Sequence, residues 1–64
     1  MTDKNGMIDR IEDGLGSEGS REIAERMFDI LRADGRVVFD ADYGFSMQDL
    51  DESEWLHVVE QATA

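Results

Sequence analysis

The side chains of this chain that could do chemistry are overwhelmingly carboxylates: 16 Asp and Glu stand against six Lys and Arg, with one histidine, His57, and no cysteine. Paired carboxylates catalyse acid–base reactions when two of them face each other across a cleft and burial raises the pKa of one. A chain of 64 residues has little room for an enclosing substrate pocket, which runs to roughly 300 Å³ or more. Ser17, Ser20, Ser46 and Ser53 fall at turns and helix starts, and no second histidine is present to build a hydrolase triad. His57 is expected on the polar side of a C-terminal helix, as an ordinary solvated imidazole. One histidine without cysteine also leaves no structural zinc set. No catalytic residue, no metal and no cofactor is therefore expected, and the chain reads as a non-enzyme.

One stretch tests calcium chemistry. From Phe39 to Glu52 the chain resembles an EF-hand loop, which needs oxygen ligands at positions 1, 3 and 5, glycine at 6 and a bidentate Glu at 12. Counted from Asp40, position 3 is Asp42, but position 5 is Gly44, position 6 is Phe45 and position 12 is Asp51. The glycine arrives one residue early and a ligand is missing. Val37-Val38-Phe39 also favours a strand where that loop needs the end of a helix. A hairpin turn with solvated acids is the expectation.

The elements that position these acids follow from hydrophobic spacing. Met7, Ile8, Ile11 and Leu15 lie on one helical face, with Asn5 as the expected cap and Gly14 or Gly16 as the end. Gly14 to Ser20 reads as a turn. A second helix, Arg21 to Ala33, starts at Ser20 and carries the stripe Ile23, Ala24, Met27, Ile30 and Leu31, with Phe28 at its edge. Arg21/Glu25 and Glu22/Arg26 are spaced for i,i+4 ion pairs on its solvent side. Gly35 suits the left-handed position after the helix end.

Arg36-Val37-Val38-Phe39 and Tyr43-Gly44-Phe45-Ser46-Met47 predict two short strands around Asp40-Ala41-Asp42, with Tyr43, Phe45 and Met47 on one face. Asp51 caps a third helix, Glu54 stands at the capping-box position, and Leu50 and Trp55 form a hydrophobic staple. That helix runs to about Gln61 and turns Trp55, Val58, Val59 and Ala62 inward. The expected fold is α+β, two N-terminal helices, a β-hairpin and a C-terminal helix (ααββα), as a single domain over residues 1–64. Tyr43, Phe45 and Trp55 are expected in the core. Val38 and Phe39 point to opposite faces, which leaves one of them for a dimer interface or a partner.

No stretch is apolar enough for a signal peptide or a membrane span, so the expectation is a cytoplasmic protein without a membrane partner. The order of elements is that of a winged helix, yet DNA binders replace phosphate counterions with Lys and Arg. Here the wing position carries Asp40 and Asp42, which excludes direct nucleic-acid binding.

Charge is distributed unevenly. From Val37 to Ala64 the chain holds seven carboxylates and no Lys or Arg, so the net charge of −10 divides into −3 before that point and −7 after it. Carboxylates at i,i+2 on a strand or i,i+3 and i,i+4 on a helix are separated by about 6–7 Å, as phosphates are along a nucleic-acid strand. Asp40 and Asp42 at the hairpin turn, Asp49, Asp51, Glu52 and Glu54 around the start of the last helix, and Glu60 along its exposed side form the candidate partner-binding set. Glu12, Asp13 and Glu18 extend it if the first helix packs nearby.

In size and charge the chain resembles the small acidic proteins of phages and mobile elements that imitate DNA, the anti-CRISPR and anti-restriction inhibitors. The resemblance is one of composition over the whole length. It implies a stoichiometric inhibitor that occupies the Lys/Arg-lined groove of a nuclease or CRISPR effector complex, acting in the host cell cytoplasm if phage-encoded. Two other readings account for the same charge: an acidic interaction module such as an antitoxin or adaptor, with a homodimer possible, and a salt-adapted protein from a halophile. Helix starts and turns attract Asp and Glu for local reasons in any case.

Overall fold

The computed structural model describes residues 2–64, apart from the side chain of Glu18. The order is α1 (Lys4–Leu15), one turn of 3-10 helix (Gly16–Glu18), α2 (Arg21–Ala33), β1 (Val37–Asp40), β2 (Gly44–Met47) and α3 (Glu52–Thr63). This is the expected small α+β domain, two helices, a hairpin and a helix.

Each helix begins at a side chain that satisfies a backbone donor no helical carbonyl can reach. Ser20 accepts from the Ile23 N–H at 3.3 Å and Asp51 from the Glu54 N–H at 2.8 Å, as their sequence positions imply. α1 departs from expectation. Asp3, not Asn5, is its cap, accepting from the Gly6 N–H at 2.7 Å, so the helix starts at Lys4. Both residues are competent caps, and the earlier one adds Lys4 and Asn5 to the start of the helix. At the other end the expected turn is partly helical, since α1 reaches Leu15 before the 3-10 turn.

The hairpin is antiparallel, with Val37 opposite Met47, Val38 opposite Ser46, Phe39 opposite Phe45 and Asp40 opposite Gly44. Gly44, at φ 82°, closes a three-residue loop in a conformation that side chains with a Cβ resist. β1 is shifted by one residue from the expected strand and β2 begins one residue late, so Tyr43 lies in the turn rather than on the inner face. It is 77% exposed, which corrects its expected place in the core. Phe45 and Met47 do face the helices and are half-buried. A third segment beside the hairpin was not foreseen: Thr2 bridges to Gly44 on the far edge of β2, donating to the Tyr43 carbonyl at 3.2 Å and accepting from the Phe45 N–H at 2.7 Å.

α2 is the centre, packed by α1, α3 and β1. The core joins Met7, Ile8 and Ile11 of α1, Ala24, Met27, Phe28 and Leu31 of α2, Val37 of β1, and Val58 and Ala62 of α3. Phe28 is buried rather than marginal, while Ile23 and Ile30 are partly covered. The reason is the hairpin, which reaches α2 on the Phe28 side: the rings of Phe28 and Phe45 meet edge to face at 5.3 Å, and Phe45 and Phe39 at 5.0 Å. Among the described residues no helix is long and apolar enough to cross a membrane.

Candidate functional site

Basic side chains come first, because they decide which acids remain unpaired. Arg21 does not pair with Glu25 along its own helix; it crosses to α1, bonding Asp9 and reaching Glu12 at 3.5 Å. The hydrogen bond that Arg21 donates to Asp9 holds its guanidinium protonated more firmly than a free arginine, and the charges of Asp9 and Glu12 add to this. Arg26 pairs with Glu22 at 2.8 Å as its spacing implies, and donates also to the Ala62 carbonyl at 3.3 Å, where α3 has no basic residue in its last turn.

Arg32 donates to the Val37 carbonyl at 3.3 Å and lies 5.3 Å from the Phe45 ring centroid. Lys4 stands 5.5 Å from that of Phe28, and Arg36 pairs with Glu54. Of the six bases, five are thus engaged by their own chain among the described residues.

The seven candidate acids divide by what they touch. Asp40 organises the hairpin turn, its Oδ1 accepting from the N–H groups of Asp42 at 2.7 Å and Tyr43 at 3.3 Å. Asp51 caps α3 and half-buried Glu54 holds Arg36, so these three carboxylates have structural work. Asp42, Asp49, Glu52 and Glu60 are exposed, and among the described residues none of them enters an ion pair. On α1, Asp13 is exposed while Glu12 turns toward Arg21; the Glu18 side chain lies outside the described residues.

The hairpin separates the acids that are close in sequence. Asp40 and Asp42 sit at its turn, whereas the Gln48 N–H bonds the Arg36 carbonyl at its open end, four rungs away. At about 3.3 Å per residue, Asp49 and the start of α3 lie roughly 13 Å from the turn. Glu60 is a further eight residues into α3, about 12 Å from Glu52 along the helix axis. The unpaired acids therefore form an extended set and not a cluster, and no group of three metal-ligating side chains occurs among the described residues.

Two apolar features were less legible. Val38, Phe39 and Tyr43 are all exposed, Val38 and Phe39 on opposite faces of the hairpin and Tyr43 in its turn. Where α3 packs against the chain from Leu15 to Ile23, an open groove of about 210 Å³ is lined by Leu15, Gly19, Ile23, Trp55, Leu56, Val59 and Thr63. Leu56 at its rim is 51% exposed. The inward stripe of α3 omits Leu56, and its position midway between Glu52 and Glu60 was the available signal. His57 is exposed, as expected.

Compared with protein-family models, with curated proteins and with solved structures, the chain matches none.

Proposed function

We propose that this protein is an acidic inhibitor that imitates DNA, binding the Lys/Arg-lined groove of a nucleic-acid-binding protein, as a nuclease or CRISPR effector has. The observation that carries this reading is the fate of the basic side chains. Among the described residues Arg21, Arg26 and Arg36 pair with carboxylates of the chain itself and Lys4 and Arg32 lie against aromatic rings, so carboxylates such as Asp42, Asp49, Glu52 and Glu60 outnumber the bases on the surface offered to a partner.

Dimensions support it too. The long axis is 33 Å, about one turn of duplex, over which DNA carries roughly 20 phosphates. The net charge of −10 is about half of that number. Opposite charge across such an interface speeds encounter and makes it salt-sensitive.

The test is capture from a cell lysate on the immobilised protein, followed by elution with a short DNA duplex. Retained proteins should be nucleic-acid binders, and duplex should displace them. Partners without a basic groove, or partners that duplex leaves in place, would refute mimicry. A second reading has its own observation: the exposed Val38, Phe39 and Tyr43 favour an adaptor or antitoxin module that binds through apolar contact. Its partner would survive a high-salt wash.

A further inference from the structure

We propose that the groove between α3 and residues 15–23 receives an apolar side chain carried on a basic amphipathic helix of the partner, while Glu52 and Glu60 pair with the Lys or Arg residues beside it. This rests on the reading of the protein as an acidic ligand of a basic protein and specifies what that partner inserts.

The groove is shaped by close approach. A Cβ on Gly14 would stand 3.1 Å from the Trp55 ring, so the absence of one lets the indole lie against α1 and form the floor. A Cβ on Gly19 would fall 2.2 Å from the Leu15 Cβ, so only glycine lets the chain pass over Leu15 and leave that wall apolar. Above this floor Leu56 stands half out of water, next to partly buried Ile23, Trp55 and Val59.

Charge selects the occupant. Leu56 is four residues from both Glu52 and Glu60, which places all three on one face of α3. Among the described residues neither glutamate has an ion-pair partner. A second copy of the chain is a poor fit, because a two-fold interface sets the same surface against itself. It would oppose glutamate to glutamate between chains that each carry −10. A basic helix with an apolar side chain avoids that repulsion and matches groove and rim together.

Trp55 is the single tryptophan and lines the groove, so its fluorescence reports occupancy. The full chain is titrated, at about 0.15 M salt where exposed charges are screened beyond ~8 Å, with three synthetic helical peptides. One alternates Lys and Leu amphipathically, one replaces Leu by Ser at equal charge, and one replaces Lys by Glu at equal apolarity. The Lys/Leu peptide should shift Trp55 emission to shorter wavelength and saturate. The Lys/Ser peptide should bind about tenfold more weakly, and the Glu/Leu peptide should not bind.

Leu56→Ser should weaken the Lys/Leu peptide about tenfold with an unchanged far-ultraviolet circular dichroism spectrum. The double variant Glu52→Gln, Glu60→Gln, altered only at exposed positions, should weaken it as well and covers the case that Leu56→Ser misfolds. Equal binding of Lys/Leu and Lys/Ser peptides would overturn the groove and leave DNA mimicry standing. Equal binding of the Glu/Leu peptide would overturn the basic occupant. Selective Lys/Leu binding by a protein whose captured partners have no basic groove would keep the docking slot and remove mimicry.

Discussion

Seven acids were candidates for one surface, and the structure divides them into three with internal hydrogen bonds or ion pairs and four without, a division that two variants test directly. The first, Asp40→Ala with Asp51→Ala, removes the acceptors of three backbone N–H groups, at 2.7 and 3.3 Å in the hairpin turn and 2.8 Å at the start of α3. Both sites are exposed, so water replaces the lost acceptors and the cost is the ordinary one for a cap, about 1 kcal/mol each.

For a domain of this size about 2 kcal/mol lowers Tm by roughly 8–16 °C. The second variant, Asp42→Asn, Asp49→Asn, Glu52→Gln, Glu60→Gln, removes four of the ten net negative charges and no intramolecular acceptor described above. Glu52 loses its favourable place at the α3 N-terminus, worth about 0.3–1 kcal/mol, and relief of repulsion among the remaining acids offsets this. Its Tm should stay within about 5 °C of the parent.

Thermal melts followed by circular dichroism at 222 nm read both. Capture of the basic partner should show the opposite ranking: the second variant loses it, and the first keeps most of it while folded. A second variant that melts as far below the parent as the first would show that the unpaired acids hold the fold. A second variant that captures partner normally would show that they are not the binding surface. Either result refutes the division.

Three further outcomes follow from particular residues. Met27 is wholly buried at the centre of α2, and Met27→Ala should cost about 2–5 kcal/mol, comparable to the entire stability of so small a domain; urea titration should find it largely unfolded in water, and an unchanged midpoint would contradict the core assignment. Gly35 sits at φ 78° after α2, so Gly35→Ala should lower stability by about 1 kcal/mol and Gly35→Asn by less, measured by the same titration. Helical signal should already be complete without added salt and stay level to high KCl, because the core is formed from apolar residues and not from bound cations; a steep requirement for molar KCl would favour the salt-adapted reading.

Much of the backbone was legible from short spacings. Ser20 and Asp51 each bond a donor three residues ahead, and such caps depend on local geometry alone. The stripes of α1 and α2, the turn between two short strands and the α+β order follow from periodicities of 3.6 and 2, which any window of the chain displays. The asymmetry of charge, −7 in the stretch without a base, is likewise a property of the sequence.

Other features depend on residues far apart in the chain. Arg21 had Glu25 at its i,i+4 spacing, and the packing of α1 on α2 gave it Asp9 and Glu12 instead. Thr2 gained a strand partner 42 residues away, and Tyr43 lies outside because β2 begins at Gly44, which pairs with Asp40 and leaves Tyr43 in the turn.

The acids show the same limit most directly. Sequence by itself determined how many carboxylates there are, that Asp51 caps the last helix and that no base follows Arg36. Only the tertiary structure decided that Arg36 would neutralise Glu54, that the hairpin would hold Asp42 far from Asp49, and that Leu56 would border a groove between unpaired Glu52 and Glu60. Caps and periodicities are set by neighbours along the chain, whereas pairing and exposure are set by which surfaces the packed elements leave within a few ångströms of one another.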